Sequence, residues 1–95
     1  MKTIEIQEKL APIMAKYGIK HAAVFGSVSR GDDRPESDVD ILIEIGQPMG
    51  LFTYSRFIQE MEELLQRKVD VVTNNSINKF IKPYILPELK TIYER

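Results

Sequence analysis

The stretch AVFGSVSRGDDRPESDVDILIEI, residues 23–45, sets two runs of strand character on either side of a glycine-marked turn and a polar loop. Its start belongs to the short apolar run HAAVF, His21 to Phe25, which reads as a buried strand. Gly26 to Arg30 follows as a tight turn opening a short helix, and Gly31 to Ser37 (GDDRPES) is a polar loop carrying Gly and Pro. Asp38 to Ile45 (DVDILIEI) then alternates strictly, which predicts a second strand. Successive side chains leave a strand on opposite faces. Val39, Ile41, Ile43 and Ile45 therefore share one face, and Asp38, Asp40, Leu42 and Glu44 the other.

On the N-terminal side, Ile6, Leu10, Ile13, Met14 and Tyr17 recur at spacings of three and four, the mark of an amphipathic helix. Pro12 inside that pattern removes a backbone donor and predicts a kink or two short segments. Gly18 supplies the stop. On the C-terminal side, Gly46 to Gly50 (GQPMG) breaks the chain. Tyr54, Phe57, Ile58, Met61, Leu64 and Leu65 then form the clearest helical stripe. Lys68 to Thr73 (KVDVVT) predicts a third strand with Asp70 between two valines. Asn74 to Ser76 offer caps for a helix from about Ile77. Pro83 and Pro87 interrupt the tail, and Thr91 to Glu94 fits either a short edge strand or a last helical turn. The expected order is α-β-α-β-α-β-α. It describes an α/β (α+β) fold with a small mixed sheet of three or four strands and helices against one face.

At 95 residues the chain has room for one core, so residues 1–95 are read as a single domain. Its hydrophobic share of 43% and charged share of 28% are those of a globular protein and exclude intrinsic disorder. Thirteen basic residues against fourteen acidic ones leave a net charge of −1, which argues against general duplex nucleic-acid binding. The absence of cysteine removes disulfides, thiolate nucleophiles and zinc–sulfur sites. No apolar run approaches the roughly 18–20 residues of a membrane span. No signal-peptide core opens the chain, so the expected compartment is the cytoplasm.

Asp38 and Asp40, two apart on a predicted strand, would project from the same face roughly 6.5–7 Å apart. Asp is disfavoured in strands and like charges on one face repel, so a compensating cation is expected; Mg²⁺ takes oxygen ligands of this kind. Asp70 on a neighbouring strand could add a third carboxylate. The pair alone would equally suit Asp38 as a loop cap and Asp40 on a solvated face. Gly26-Ser27, between a strand and a short helix, adds an anion site of backbone N–H groups and a hydroxyl. Arg30, one turn on, could add charge to the same anion. A lone Gly-Ser fits an ordinary helix start; the specific signal is its combination with the carboxylates.

Gly26-Ser27, ten intervening residues, then Asp38-Val39-Asp40 resembles the Gly-Ser…Asp-x-Asp signature of the DNA polymerase β-like nucleotidyltransferase superfamily. The surrounding text resembles its minimal nucleotidyltransferase (MNT) branch, where Phe-Gly-Ser-x-x-Arg-Gly and Ser-Asp-x-Asp-Leu/Ile are usual. Lys-Val-Asp-Val-Val fits the place of that family's third carboxylate. Val28 and Ser29 stand where Arg and Ala are common, and neither is a ligand position. The resemblance implies that Asp38 and Asp40 bind two Mg²⁺ ions, one carrying the nucleoside triphosphate. Asp70 would help hold the second ion and act as base for an acceptor hydroxyl. Gly26 and Ser27 would bind the β/γ-phosphates with Arg30 assisting, and pyrophosphate would leave as the nucleotidyl group is transferred. Family members of this size act beside a small helical partner of the HEPN class, often as toxin–antitoxin pairs. The expected activity is therefore transfer of AMP from ATP to a tyrosine of a HEPN ribonuclease. The rivals are an antitoxin that silences its partner by occlusion alone and a subunit that modifies a small molecule such as an aminoglycoside.

The other polar and aromatic residues have simpler readings. His21 is structural or solvated. Asp32 and Asp33 are solvated loop charges, unless the loop brings one to a metal, and Glu44 is peripheral. Tyr54, Phe57 and Met61 are core stripe, and Glu60 to Glu63 (EMEE) is an exposed helix face. Phe80, Tyr84 and Ile85 suit a partner surface or core packing equally.

Overall fold

The structure, a computed structural model, describes residues 1–74, 77 and 79–95. Helix α1 (Thr3–Lys16) leads into β1 (Ile19–Phe25), the one-turn α2 (Gly26–Arg30) and β2 (Val39–Ile45). Then come α3 (Leu51–Leu65), β3 (Val69–Thr73), the short α4 (Lys82–Ile85), a 3₁₀ turn (Leu86–Glu88) and β4 (Lys90–Glu94). The strands form one sheet in the order β3-β2-β1-β4. β1 runs antiparallel to β2 and to β4, whereas β2 and β3 are parallel. A parallel pair cannot be joined by a hairpin, and α3 makes the crossover.

The alternation in β2 is used as the sequence suggests. Val39, Ile41 and Ile43 are sealed in the core, while Asp40 and Glu44 are only half-buried. Ile6, Leu10 and Met14 of α1, Phe57 and Met61 of α3, and Ile92 of β4 close one cluster over that face. Tyr17 and Phe57 stack with ring centroids 5.2 Å apart, joining the end of α1 to the middle of α3. Among the described residues, no helix is long and apolar enough to cross a membrane.

Four local expectations need revision, and one open alternative is decided. Pro12 does not divide α1 into two short segments; a single helix runs through it. The buried stripe Ile6, Leu10, Ile13 and Met14 supplies packing that outweighs one missing backbone bond. Among the described residues, the tail shows no long helix from Ile77. Asn75 and Ser76, two of the expected caps, lie outside the described residues, and regular helix appears only at Lys82, with Pro83 in its first turn. There the missing N–H of proline costs nothing, and Pro87 lies in the following 3₁₀ turn. Of the two alternatives for residues 91–94, the strand is the one formed, because pairing with β1 buries Ile92. Leu64 falls off the α3 core stripe and is 44% exposed. Within Glu60 to Glu63, Met61 is fully buried, and Glu62 accepts the Val69 N–H at 2.9 Å.

The face of the sheet opposite α1 and α3 is not bare. Leu42, His21 and Glu44 line a cavity of about 140 Å³ together with Lys82, Leu86 and Leu89, so the tail crosses this face. His21 bonds Thr91 Oγ1 at 3.2 Å across the β1–β4 pair, and Glu44 lies 3.6 Å from Lys20 Nζ.

Candidate active site

The edge of the carboxylate face is built by three strand ends. Phe25 closes β1 opposite Asp40 at the start of β2, and Asp40 is in register with Asp70 of β3. Register partners on parallel strands project to the same side, so these two acids share a face although 30 positions separate them. Asp38 differs from its expectation in one respect. The strand begins at Val39, whose N–H donates to the Lys68 carbonyl at 2.9 Å, and Asp38 is an exposed residue just before it.

Gly26 follows Phe25 directly, with φ +73°, and a Cβ there would lie 2.3 Å from Asp40 Oδ2. Any side chain there would displace the carboxylate, and the left-handed backbone is one that L-residues adopt only at a cost. The turn can therefore pass against the carboxylate only because residue 26 is glycine. Burial pushes the Asp40 carboxyl above its usual range, and the charges of Asp70 and Asp38 push it further. Arg30 opposes them. Burial also raises the Tyr54 hydroxyl, with the Asp70 charge adding to it. These oxygens, crowded and short of compensating charge, form a donor set that suits a hard divalent cation. Among the described residues, however, no three acids are already gathered within joint reach of one ion.

Ser27 is half-buried at the start of α2, next to Gly26. Arg30 is not waiting empty-handed: its NH1 bonds Glu88 Oε1 at 3.0 Å and its Nε bonds Asp32 Oδ2 at 3.2 Å. The other oxygen of Glu88 accepts the Gly26 N–H at 3.0 Å. Sequence reasoning missed Glu88, which lies in LPELK without a local signal; only the β4–β1 pairing brings it to the turn. The reading of Asp33 as a solvated charge is also corrected. Its side chain is 5% exposed and lies 2.7 Å from Arg67 NH1 and 2.8 Å from the Met1 amine. Hydrogen bonds from those two cations hold its carboxyl below the usual range. It staples the loop to the α3–β3 connection and to the N-terminus. Phe80 and Tyr84 are 72% and 78% exposed, so neither is core, and Ile85 is half-buried.

A nucleotidyltransferase domain model matches residues 7–92, nearly the whole chain and every element that builds this site. The chain belongs to the nucleotidyltransferase domain family. This nucleotidyltransferase domain is 43% identical over 88 residues to a candidate protein adenylyltransferase of Methanocaldococcus jannaschii, covering 93% of this chain and 95% of that one. It is 32% identical over 74 residues to the protein adenylyltransferase MntA of Thermococcus cleftensis, covering 78% and 75%. Among solved structures it superposes on a candidate minimal nucleotidyltransferase with a TM-score of 0.79 at 28% identity, covering 95% of each chain. A chain of a toxin–antitoxin complex with AMP-PNP matches with a TM-score of 0.78 at 19% identity, covering 94% of this chain and 73% of that one. A chain of the Shewanella oneidensis complex of a tri-AMPylated HEPN toxin with its MNT antitoxin matches at 0.72 and 16% identity, covering 98% and 73%. The last two likenesses are of fold. They agree with the α/β architecture and the mixed sheet, and the family fixes a nucleotide as the class of substrate.

Proposed function

We propose that this domain transfers AMP from ATP to a tyrosine-type hydroxyl of a HEPN-class ribonuclease and so acts as the antitoxin of a toxin–antitoxin pair in the cytoplasm, where ATP is supplied. One observation carries the reading: the Gly26 turn is pressed against Asp40, in register with Asp70, so the backbone assigned to the phosphates and two carboxylates share one edge. The name of the Thermococcus relative and the AMPylated toxin bound to a fold neighbour supply the acceptor class.

Asp38, Asp40 and Asp70 would hold two Mg²⁺ ions. Bound there, the ions supply charge neutralisation on the triphosphate and a lowered pKa for the acceptor hydroxyl. Gly26 N–H and Ser27 Oγ would bind the β/γ-phosphates, and Arg30 would assist once it is free of Glu88. With the triphosphate so oriented, the acceptor oxygen attacks the α-phosphorus in line. A new P–O bond forms, the bond to the β-phosphate oxygen breaks, and pyrophosphate leaves. The Asp70 carboxylate takes the hydroxyl proton. Lining up two reactants this way removes much of the entropic barrier, and the fixed charges meet the negative charge that develops.

The test uses the protein purified with its native partner, incubated with Mg²⁺ and ATP labelled at the α- or γ-phosphate. Label on the partner from the α position alone is the expected result. ATP binding with no labelled protein would overturn the protein acceptor and favour occlusion or a small-molecule acceptor.

A further inference from the structure

Glu88 occupies the place where the proposed reading seats a phosphate. Its two carboxylate oxygens accept, at 3.0 Å each, from the Gly26 amide and from Arg30 NH1, which are two of the three groups assigned to the nucleotide. A carboxylate spanning an amide and a guanidinium satisfies both donors as two phosphate oxygens would. The backbone of Glu88 is held independently of its carboxylate. The buried Ser29 hydroxyl donates to the Glu88 carbonyl, and β4 begins two residues later. Rotation of the Glu88 side chain can therefore vacate the seat without unpairing β4 from β1. Its side chain is 28% exposed, which leaves it a path toward solvent.

We infer that Glu88 is an internal stand-in for phosphate, a residue whose side chain fills the seat in the nucleotide-free protein and must be displaced by the triphosphate. The inference rests on the assignment of Gly26 and Arg30 to phosphate. While the carboxylate is seated, Arg30 and the Gly26 N–H are both satisfied, and a ligand binds only the fraction of molecules with the seat open. The apparent dissociation constant rises in inverse proportion to that fraction. A triphosphate carrying its cations repays the displacement with several contacts. Release of Glu88 also moves a negative charge away from the crowded Asp40 edge.

The test measures binding of Mg²⁺–ATP and of Mg²⁺–tripolyphosphate, which has no base or ribose, by calorimetry on the intact chain. Three variants are compared: Glu88→Ala, the near-isosteric Glu88→Gln and Glu44→Gln. Glu44→Gln removes a charge from the same sheet face at a residue paired with Lys20 rather than with the turn. Circular dichroism checks that each is folded. Glu88→Ala and Glu88→Gln are expected to bind both probes more tightly, by roughly tenfold for a seat open in about a tenth of molecules. The KM for ATP should fall with kcat little changed, and Glu44→Gln should shift affinity less than about twofold. Wild-type binding with no gain, or a loss, in both Glu88 variants would overturn the inference and leave the phosphate assignment standing. An equal gain in Glu44→Gln would also overturn it, since the cause would then be charge on the face and not occupancy of the seat. Failure of the wild-type chain to bind either probe would overturn the phosphate assignment and this inference together.

Discussion

Replacing Gly26 with Ala adds one methyl group and tests the core of the site. At φ +73° the alanine backbone lies in the left-handed region, at a cost of about 1–2 kcal/mol. The new Cβ would stand 2.3 Å from Asp40 Oδ2 and 3.2 Å from its Cγ. To restore the 3.0 Å that real Cβ atoms keep, the carboxylate oxygen must retreat by about 0.7 Å. Forcing a short side chain off its rotamer adds roughly 0.5–1.5 kcal/mol. The fold should survive this loss, but the reacting geometry should not. Displacements on the order of 1 Å at a catalytic group cost about 100-fold in rate. Thermal or urea unfolding followed by circular dichroism, suited to a chain without tryptophan, should show a stability loss of about 1.5–3.5 kcal/mol. Transfer of α-labelled AMP to the partner should fall by about two orders of magnitude. In an Asp40→Ala background the clash is gone, and Gly26→Ala should cost only the backbone part, about 1–2 kcal/mol. A Gly26→Ala protein transferring AMP at close to the wild-type rate would refute the placement of the chemistry at this contact.

Asp38→Asn and Asp40→Asn should each abolish transfer while leaving the far-ultraviolet spectrum unchanged. Asp40→Asn should be neutral or mildly stabilising at pH 7. The Asp40 carboxyl is raised in the folded state, so the ionised form opposes folding once the pH climbs above the unfolded value near 3.8. A folded Asp40→Asn variant that still transfers AMP would remove Asp40 from the metal site. Arg67→Met should destabilise by about 1–3 kcal/mol at neutral pH by leaving Asp33 with one partner fewer. Because Asp33 is lowered in the folded state, that contribution is complete above the unfolded value of about 3.8 and is lost as the pH falls through the folded one. Unfolding curves of the two proteins should therefore converge in acid, and a gap that persists at pH 2 would point to packing instead. Phe57→Ala, at a fully buried position stacked on Tyr17, should cost about 3–5 kcal/mol in urea unfolding; a loss below 1 kcal/mol would contradict the core assignment.

Features carried by neighbours a few residues apart were legible before any tertiary contact was known. The two-residue alternation of DVDILIEI put Ile41 and Ile43 inside and Asp40 on the opposite face, because a pleated strand has that period whatever surrounds it. The stripe Phe57, Met61, Leu65 found α3 for the same kind of reason, and the spacing from Gly26-Ser27 to Asp38 and Asp40 pointed to the family. Pro12 marks the limit of such reasoning: its local penalty and the apolar stripe of Ile6, Leu10 and Met14 were both legible, but which of the two prevails depends on what the stripe packs against.

Which distant residues meet depended on strand pairing and packing across the whole fold. The parallel register of β2 and β3 aligns Asp40 with Asp70, and slipping it by one residue would have turned Asp70 into the core. Pairing of β4 with β1 delivers Glu88 to the Gly26 turn from 62 positions away, and Arg67 reaches Asp33 across 34. No periodicity records these contacts. They accompany the burial of Ile92, Ile41 and Phe57 in one core, a balance set by the whole chain.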